Sequence, residues 1–216
     1  MPLEDILKEA AHPRTRLVTL SHVEFASGQR LALARIGAFC RQNGKLLCVD
    51  CIQSLGVMPV DVQAMNIDYL SADGHKWLLG PEGAGVFYCR RELLEKTRPL
   101  VVGWLNVVGA MDFANYAYKL TPDACRFESG SHNVAGLLAL KGSMDMISGI
   151  GVPAITARLK HLGDHLAAKL TQKGYTVISP RDGEQFSGSV VFASPTHDQD
   201  AIVKRFRAEH RIEIAL

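Results

Sequence analysis

The sequence lacks a strong excess of either charge. Its 24 lysines and arginines are nearly balanced by 22 aspartates and glutamates, and no basic run is long enough to attract nucleic acid or anionic lipid. No stretch approaches the roughly 20 apolar residues that span a bilayer. The first residues, MPLEDILKEAAHPR, are acidic and amphipathic, unlike a secretory signal. We therefore expect a soluble, cytoplasmic protein whose partners include neither nucleic acid nor a membrane.

Cysteine is also scarce, and its five copies are odd in number. Cys48 and Cys51 form a CxxC pair, which in other settings binds zinc or undergoes redox chemistry. Here the pair lies in the strand-like run KLLCVDC, in which positions three apart point to opposite faces. Because no second pair exists to complete a metal site, we expect structural thiols and no bound metal.

The composition is otherwise that of a folded globular protein, with 47% hydrophobic and 21% charged residues. Short apolar runs alternate with amphipathic stretches in the first half, a pattern typical of βαβ units. It predicts strands at 16–23, 45–50, 66–72 and 84–93, a helix at 29–44, and a short helix in VQAM capped by Asp61. Residues 1–150 are therefore predicted to form an α/β domain with a mostly parallel sheet sandwiched by helices.

The pattern changes after residue 130. Longer amphipathic stretches predict three helices, at 133–151, 152–174 and 198–210. Short apolar runs predict three strands, at 175–179, 188–194 and 211–216. This arrangement is typical of an α+β unit. Residues 151–216 are therefore predicted to form a smaller C-terminal domain.

Two chemically distinctive residues follow neighbouring strands of the predicted sheet. Asp50 closes one strand and Lys76 follows the next, and one strand–crossover–strand unit fits between them. Ligands of open α/β sheets bind beyond the carboxyl ends of the strands, so both side chains are expected in one crevice. They could form an ordinary ion pair or belong to a cofactor site. The nearby Gln53 and His75 favour a cofactor site.

Pyridoxal 5′-phosphate (PLP) needs this set of side chains. Its aldehyde forms a Schiff base with a lysine amine, its ring nitrogen needs a carboxylate, and its phosphate needs fixed donors. A partly desolvated lysine loses its proton more readily, which allows it to attack the aldehyde and later to move protons. We therefore predict a PLP site with Lys76 as the catalytic residue.

Residues 49–95 carry a resemblance to a known family. VDCIQSLGVMPVDVQAMNIDYLSADGHKWLLGPEGAGVFYCRRELLE resembles the core of the class V aminotransferases, PLP-dependent enzymes of fold type I. The family includes cysteine desulfurases, selenocysteine lyases, kynureninases and isopenicillin N epimerase-like proteins. The resemblance extends more loosely through SHVEFASG (21–28), RFESGSHNVAG (126–136) and SPRDGEQFSGSVVF (179–192). SADGHKWLLGPEGAG is most similar to the epimerase-like and uncharacterised aminotransferase branch.

The resemblance implies a role for each residue on the ring side of the cofactor. Lys76 forms the Schiff base, Asp50 pairs with the ring nitrogen, and Gln53 hydrogen-bonds the ring hydroxyl. Trp77 and Leu78 supply apolar cover beside the lysine.

The phosphate side is implied in the same way. His75 contacts the phosphate, and Asp73 stands where many relatives carry a serine or threonine phosphate donor. A carboxylate there would repel a phosphate. Ser131, next to Gly130, lies in the segment with which the family reaches the partner subunit's phosphate, so the resemblance also implies a homodimer.

The implied function is chemistry on an amino acid. Aminotransferase or epimerase-like activity ranks first, and cysteine desulfurase or selenocysteine lyase-like activity is the alternative. Relatives carry a phosphate-binding loop upstream and a substrate-binding arginine downstream of the matched region, so the resemblance implies truncation at both ends. A remnant that serves only in binding or dimerisation is a further possibility.

Overall fold

Alternation of apolar and polar residues builds one sheet in the first half of the protein, whose computed structural model describes residues 2–215. Its four strands are Leu17–Ser21 (β1), Leu46–Asp50 (β2), Tyr69–Asp73 (β3) and Gly85–Cys89 (β4). They lie in the order β1-β2-β3-β4; the first three are parallel, and β4 runs antiparallel to β3. The predicted α/β fold with a mostly parallel sheet is confirmed.

Helices Leu3–Ala10 (α1) and Leu33–Gln42 (α2) pack beside this sheet. Leu47 and Val49 of β2 are fully buried against Ile36 of α2. Fully burying one such side chain contributes roughly 1.5–3 kcal/mol. The predicted helix at 29–44 begins only at Leu33, because Arg30 forms an isolated antiparallel bridge with Val23 and the Leu31 N–H donates to the His22 carbonyl.

The strand register sets the position of the candidate site. Ser21 of β1 pairs with Asp50 of β2, and Asp50 pairs with Ser71 of β3. The carboxyl ends of three parallel strands therefore meet at one edge. β4 begins at the same edge, with Gly85 opposite Asp73.

Two longer helices follow, Val134–Ile150 (α3) and Val152–Gln172 (α4). Gly151 separates them with a φ of 89°, a left-handed value that glycine adopts without strain. Asn133 caps α3 by accepting the Gly136 N–H. Leu140 of α3 packs in a buried cluster with Leu78 and Ala84, so α3 covers the loop that follows β3.

The C-terminal elements are shorter than predicted. Thr176–Val177 (β5) and Phe192–Ala193 (β6) form a two-stranded antiparallel sheet. Helix Gln199–Arg205 (α5) continues as one π-helical turn, Phe206–His210. The division into domains 1–150 and 151–216 stays a prediction.

Two short elements were wrongly predicted. Residues 61–65 form turns rather than a helix: Asp61 accepts the N–H groups of Gln63 and Ala64, and five residues are too few for a helix to propagate. Residues 211–215 form no strand, and Leu216 lies outside the described residues. Arg211 adopts a left-handed conformation and Arg207 pairs with Glu213, which folds this segment back on the preceding turn.

Within residues 2–215 no helix is both long and apolar enough to cross a membrane. The same residues hold no grouping of three or more histidine, cysteine, aspartate or glutamate side chains suited to a metal ion. Cys51 is fully buried, and burial raises the pKa of its thiol to about 12. Burial also raises the pKa of the Cys48 thiol. Both cysteines are therefore protonated, unreactive thiols at neutral pH.

Candidate functional site

The carboxyl edge of the sheet opens into a cleft of about 530 Å³. Asp50, Ser71 and Asp73 line it from the strand ends, while Phe87 of β4 and Glu128 line its other side. Of the six predicted site residues, the cleft therefore brings together Asp50 and Asp73. This position matches the expected ligand site of an open α/β sheet.

Asp50 is an exposed carboxylate with little to neutralise it. Its Oδ1 accepts the Ile52 N–H at 2.8 Å, which shapes the turn after β2. Among the described residues no cation forms a salt bridge with it, so the ion-pair interpretation of Asp50 and Lys76 is not realised in the structure. A carboxylate held at a strand end without a cationic partner is available to a positively charged group of a ligand.

Lys76 lies on a loop whose base is closed by hydrogen bonds. The Gly74 N–H donates to the Ala84 carbonyl at 2.8 Å, and the Gly80 N–H donates to the Gly74 carbonyl at 2.7 Å. A Cβ at position 74 would lie 2.6 Å from the Ala84 oxygen, so glycine is required where the chain leaves β3. The loop therefore presents Lys76 from a fixed base.

The surroundings of Lys76 are partly apolar. The side chain is half-buried, and its Nζ lies 5.8 Å from the centroid of the Phe25 ring. Leu78 is buried, and Trp77 packs so closely on Gly188 that a Cβ there would lie 3.0 Å from its ring. Packing of Trp77 on Gly188 and of Leu78 in the cluster with Leu140 thus fixes the part of the loop that follows Lys76.

Three of the predicted site residues, His75, Ser131 and Gln53, are not part of the cleft lining. His75 is exposed, with its Nδ1 4.0 Å from Asp73 Oδ2. Ser131 is exposed on the loop before α3, and Asn133 ties the end of that loop to Gly83 by donating to its carbonyl at 3.2 Å. Gln53 is half-buried on the turn after β2. The roles assigned to these residues stay predictions.

The sequence interpretation missed two contributors near the site. Phe25 was not singled out, although it lies on the loop after β1 and reaches Lys76. His22, at the end of β1, is buried and pairs with Ser54, and burial together with the positive charge of Arg30 lowers its pKa from 6.5 to about 4. The position of His22 at a strand end was the available signal.

These residues fit the ring side of PLP. Asp50 is an unpaired carboxylate suited to a protonated ring nitrogen, and Lys76 is an amine on a rigid loop at the same sheet edge. The cleft itself is lined by the acidic residues Asp50, Asp73 and Glu128. Its charge suits the cationic part of a ligand and disfavours a phosphate next to Asp73.

Comparison with known proteins gives a consistent family assignment. The family model described as aminotransferase class-V matches residues 2–215. A probable cysteine desulfurase of Methanothermobacter thermautotrophicus is 34% identical over 182 residues, which are 84% of this chain and 43% of the relative. Isopenicillin N epimerase of Streptomyces clavuligerus is 31% identical over 213 residues, 96% of this chain and 54% of the relative.

A solved structure shares the fold. A variant of the protein C-DES, with glycine linked covalently to its PLP cofactor, superposes with a TM-score of 0.88 at 25% identity, over all of this chain and 56% of that one. The likeness confirms the predicted fold type I architecture. The chain spans about half the length of the curated relatives it matches.

Proposed function

The chain belongs to the class V aminotransferase family, and we propose that it binds PLP through Lys76 and acts on an amino acid as an aminotransferase or an epimerase-like enzyme. One observation carries the proposal: the sheet places an unpaired carboxylate, Asp50, at the edge from which a closed loop presents Lys76. Both belong to the segment most similar to the family core.

The chemistry follows from what these side chains hold and move. PLP, when bound, supplies an electron sink that stabilises negative charge at the α-carbon of an amino acid. With PLP bound, Asp50 would pair with the protonated ring nitrogen, and Gln53, on the turn after β2, would hold the ring hydroxyl. Lys76 would hold the aldehyde carbon through Nζ with loss of water, and its amine, once freed by the substrate amine, would take and return the α-proton as general base and acid.

The apolar contacts around Lys76 hold its amine in place. The Phe25 ring lies 5.8 Å from Nζ and presents an aromatic face to it. Packing of Trp77 on Gly188 restricts the loop and thereby the range of positions open to Nζ.

A cysteine desulfurase-like activity is the second candidate. It is favoured by the name of the archaeal relative, a probable cysteine desulfurase at 34% identity. Desulfuration and transamination both act on an amino acid through its amino group. Both also need the negative charge that develops on the substrate to be delocalised into the cofactor ring. Formation of alanine and sulfide from L-cysteine in the presence of a thiol reductant, compared with keto-acid formation from other amino acids, distinguishes the two.

We further propose that a second copy of the chain covers an exposed apolar segment at residues 100–118. Val101, Met111, Phe113 and Tyr116 are each more than two-thirds exposed there, and grouped exposed apolar side chains are typical of interaction sites. The segment packs on the loop that carries Ser131, since a Cβ at Gly103 would collide with the Ser129 carbonyl. Sedimentation should give twice the mass of one chain, and a Phe113→Asp, Tyr116→Asp variant should sediment as a single chain.

The proposed function is tested by locating the bond to the cofactor. The purified chain is mixed with PLP, its visible absorption is recorded, and the adduct is reduced with borohydride and mapped by mass spectrometry. We expect the label on Lys76, and we expect Lys76→Ala to lose both label and absorption band. Lys141→Ala is the matched control, because Lys141 is an exposed lysine of α3 that pairs with Asp145.

The result is decisive in either direction. Equal labelling of several lysines, or the same spectrum from wild type and Lys76→Ala, would reject the role of Lys76. Selective labelling without turnover of any amino acid would identify the chain as a cofactor-binding module rather than an active enzyme.

A further inference from the structure

His22 and Ser54 form a buried polar pair directly behind the carboxyl edge. His22 is 2% exposed and Ser54 is 0% exposed, and His22 Nδ1 lies 2.9 Å from Ser54 Oγ. His22 follows β1 and Ser54 lies in the turn that follows β2, so the contact joins the segments after two neighbouring strands. A polar pair so fully withdrawn from water persists only when its hydrogen bonds are satisfied.

The hydrogen bonds define the state of this pair. Ser54 Oγ lies 3.2 Å from the Cys51 carbonyl and 2.9 Å from His22 Nδ1, so one hydroxyl links the imidazole to the backbone of the turn. Burial and the nearby charge of Arg30 lower the pKa of His22 to about 4. His22 is therefore a neutral imidazole at physiological pH.

The same histidine also holds the end of β2 through its backbone. The His22 N–H donates to the Asp50 carbonyl at 2.9 Å, and the Ser54 N–H donates to the Cys51 carbonyl at 2.9 Å. Asp50 and Ser54 thus mark the two ends of the five-residue segment 50–54, with which the turn at 52–57 begins, and His22 bonds to both. Gln53 lies within that turn, half-buried.

We propose that His22 is a positioning residue for the cofactor, which through Asp50 and Ser54 clamps both ends of the segment 50–54 and so fixes the Asp50 carboxylate and the Gln53 amide. The inference rests on the proposed function. It assigns to His22 no contact with the cofactor or the substrate.

Serine-to-alanine substitutions provide a matched test. Ser54→Ala removes the anchor hydroxyl, and Ser179→Ala removes another buried serine hydroxyl, which accepts the Val191 N–H at 2.9 Å away from the turn. For wild type and both variants, hydrogen exchange is measured across residues 50–55 of the full chain. The dissociation constant and absorption maximum with added PLP are measured in parallel.

We expect a selective effect at the turn. Ser54→Ala should speed exchange at residues 50–55 and weaken PLP binding about fivefold, the size of one hydrogen bond, with a shifted absorption maximum. Ser179→Ala should do neither, even where it lowers the unfolding midpoint equally. His22→Asn, whose amide can form a hydrogen bond from nearly the place of Nδ1, should retain exchange protection and affinity better than His22→Ala.

Two outcomes overturn the inference. Equal exchange at residues 50–55 in Ser54→Ala and Ser179→Ala would show that the pair does not anchor the turn. An unchanged dissociation constant in Ser54→Ala, while wild type is labelled at Lys76, would reject positioning and leave the proposed function standing. A wild-type chain that is not labelled at Lys76 rejects the proposed function and with it the cofactor part of this inference.

Discussion

Aspartates lie at both ends of the parallel strands of the sheet, and their surroundings at the two ends are opposite. At the edge where β3 begins, Asp68 is only 3% exposed and accepts from Arg90 Nε at 2.7 Å and from the Leu47 N–H at 2.8 Å. At the edge where β2 and β3 end, Asp50 is exposed and Asp73 is 59% exposed, and neither has an arginine or lysine partner among the described residues. Asp68 is therefore neutralised by an arginine, whereas Asp50 and Asp73 are not neutralised by an arginine or a lysine of the described residues.

This difference indicates which aspartates are available to a ligand. A carboxylate buried with arginine and backbone donors is costly to disturb and has no capacity left for a ligand. A carboxylate held at a strand end by one backbone hydrogen bond contributes little to stability but can bind a cationic ligand group. Asp68 precedes a strand whereas Asp50 and Asp73 close one, and the two groups also differ in whether a cation neutralises their charge.

The largest expected effect comes from Asp68→Ala. This change leaves Arg90 and the Leu47 N–H without their buried partner, which should lower the free energy of unfolding by about 3–5 kcal/mol. Asp50→Ala removes an exposed carboxylate and should change it by less than about 0.5 kcal/mol. Urea unfolding of the cofactor-free chain measures both. Similar losses in the two variants would remove the distinction between the edges.

A second, smaller effect should appear on acidification. The folded-state pKa of His22, about 4, lies below its ordinary value of 6.5, so the unfolded chain binds a proton more readily between these values. Stability is therefore complete above about pH 6.5 and falls as pH drops toward 4, by up to about 3 kcal/mol.

His22→Asn isolates this contribution because the amide does not titrate and faces the same Arg30 charge. Its loss of stability between pH 6.5 and 4.5 should be smaller than that of wild type, with the two curves converging at low pH. His161→Asn, at an exposed histidine of α4, is the control for the removal of one imidazole. Parallel curves for wild type and His22→Asn would contradict a buried neutral imidazole at the site edge.

Much of the fold could be predicted because its long elements carry strong local signals. The apolar runs of β2 and β3 and the periodicity of α3 and α4 are readable without knowledge of their partners. The short elements were not, since residues 61–65 and 211–215 depend on whether a neighbour completes them. A strand without a pairing strand is not stable by itself, and neither is a single helical turn.

The candidate site divides in the same way. Asp50 and Asp73 were predicted at the carboxyl edge because strand order and direction alone decide where strand ends lie. The contact of His22 with Ser54 depends on side-chain rotation and burial, which no spacing along the chain encodes. The sequence likewise gives no sign that Asp68 is saturated by Arg90, a residue that reaches it only because β4 runs antiparallel to β3.

The smallest expected effect separates Asp50 from Asp73, the two carboxylates of the carboxyl edge that lack an arginine or lysine partner among the described residues. Asp50→Asn should weaken PLP binding, because a neutral amide attracts the protonated ring nitrogen less strongly. Asp73→Asn should strengthen it by about twofold to fivefold, because an exposed anion near the phosphate contributes repulsion of only a few tenths to about 1 kcal/mol. Glu95→Gln, at an exposed position outside the cleft, controls for the change in net charge.

The gain from Asp73→Asn should shrink as salt is raised from about 0.01 M to 1 M, since the Debye length falls from about 30 Å to about 3 Å. Spectral titration with PLP at both salt concentrations measures it. A weaker affinity in Asp73→Asn would mean that the Asp73 carboxylate accepts a hydrogen bond from the ligand. In that case Asp50 and Asp73, the two aspartates that close strands of the sheet, would both contribute to PLP binding.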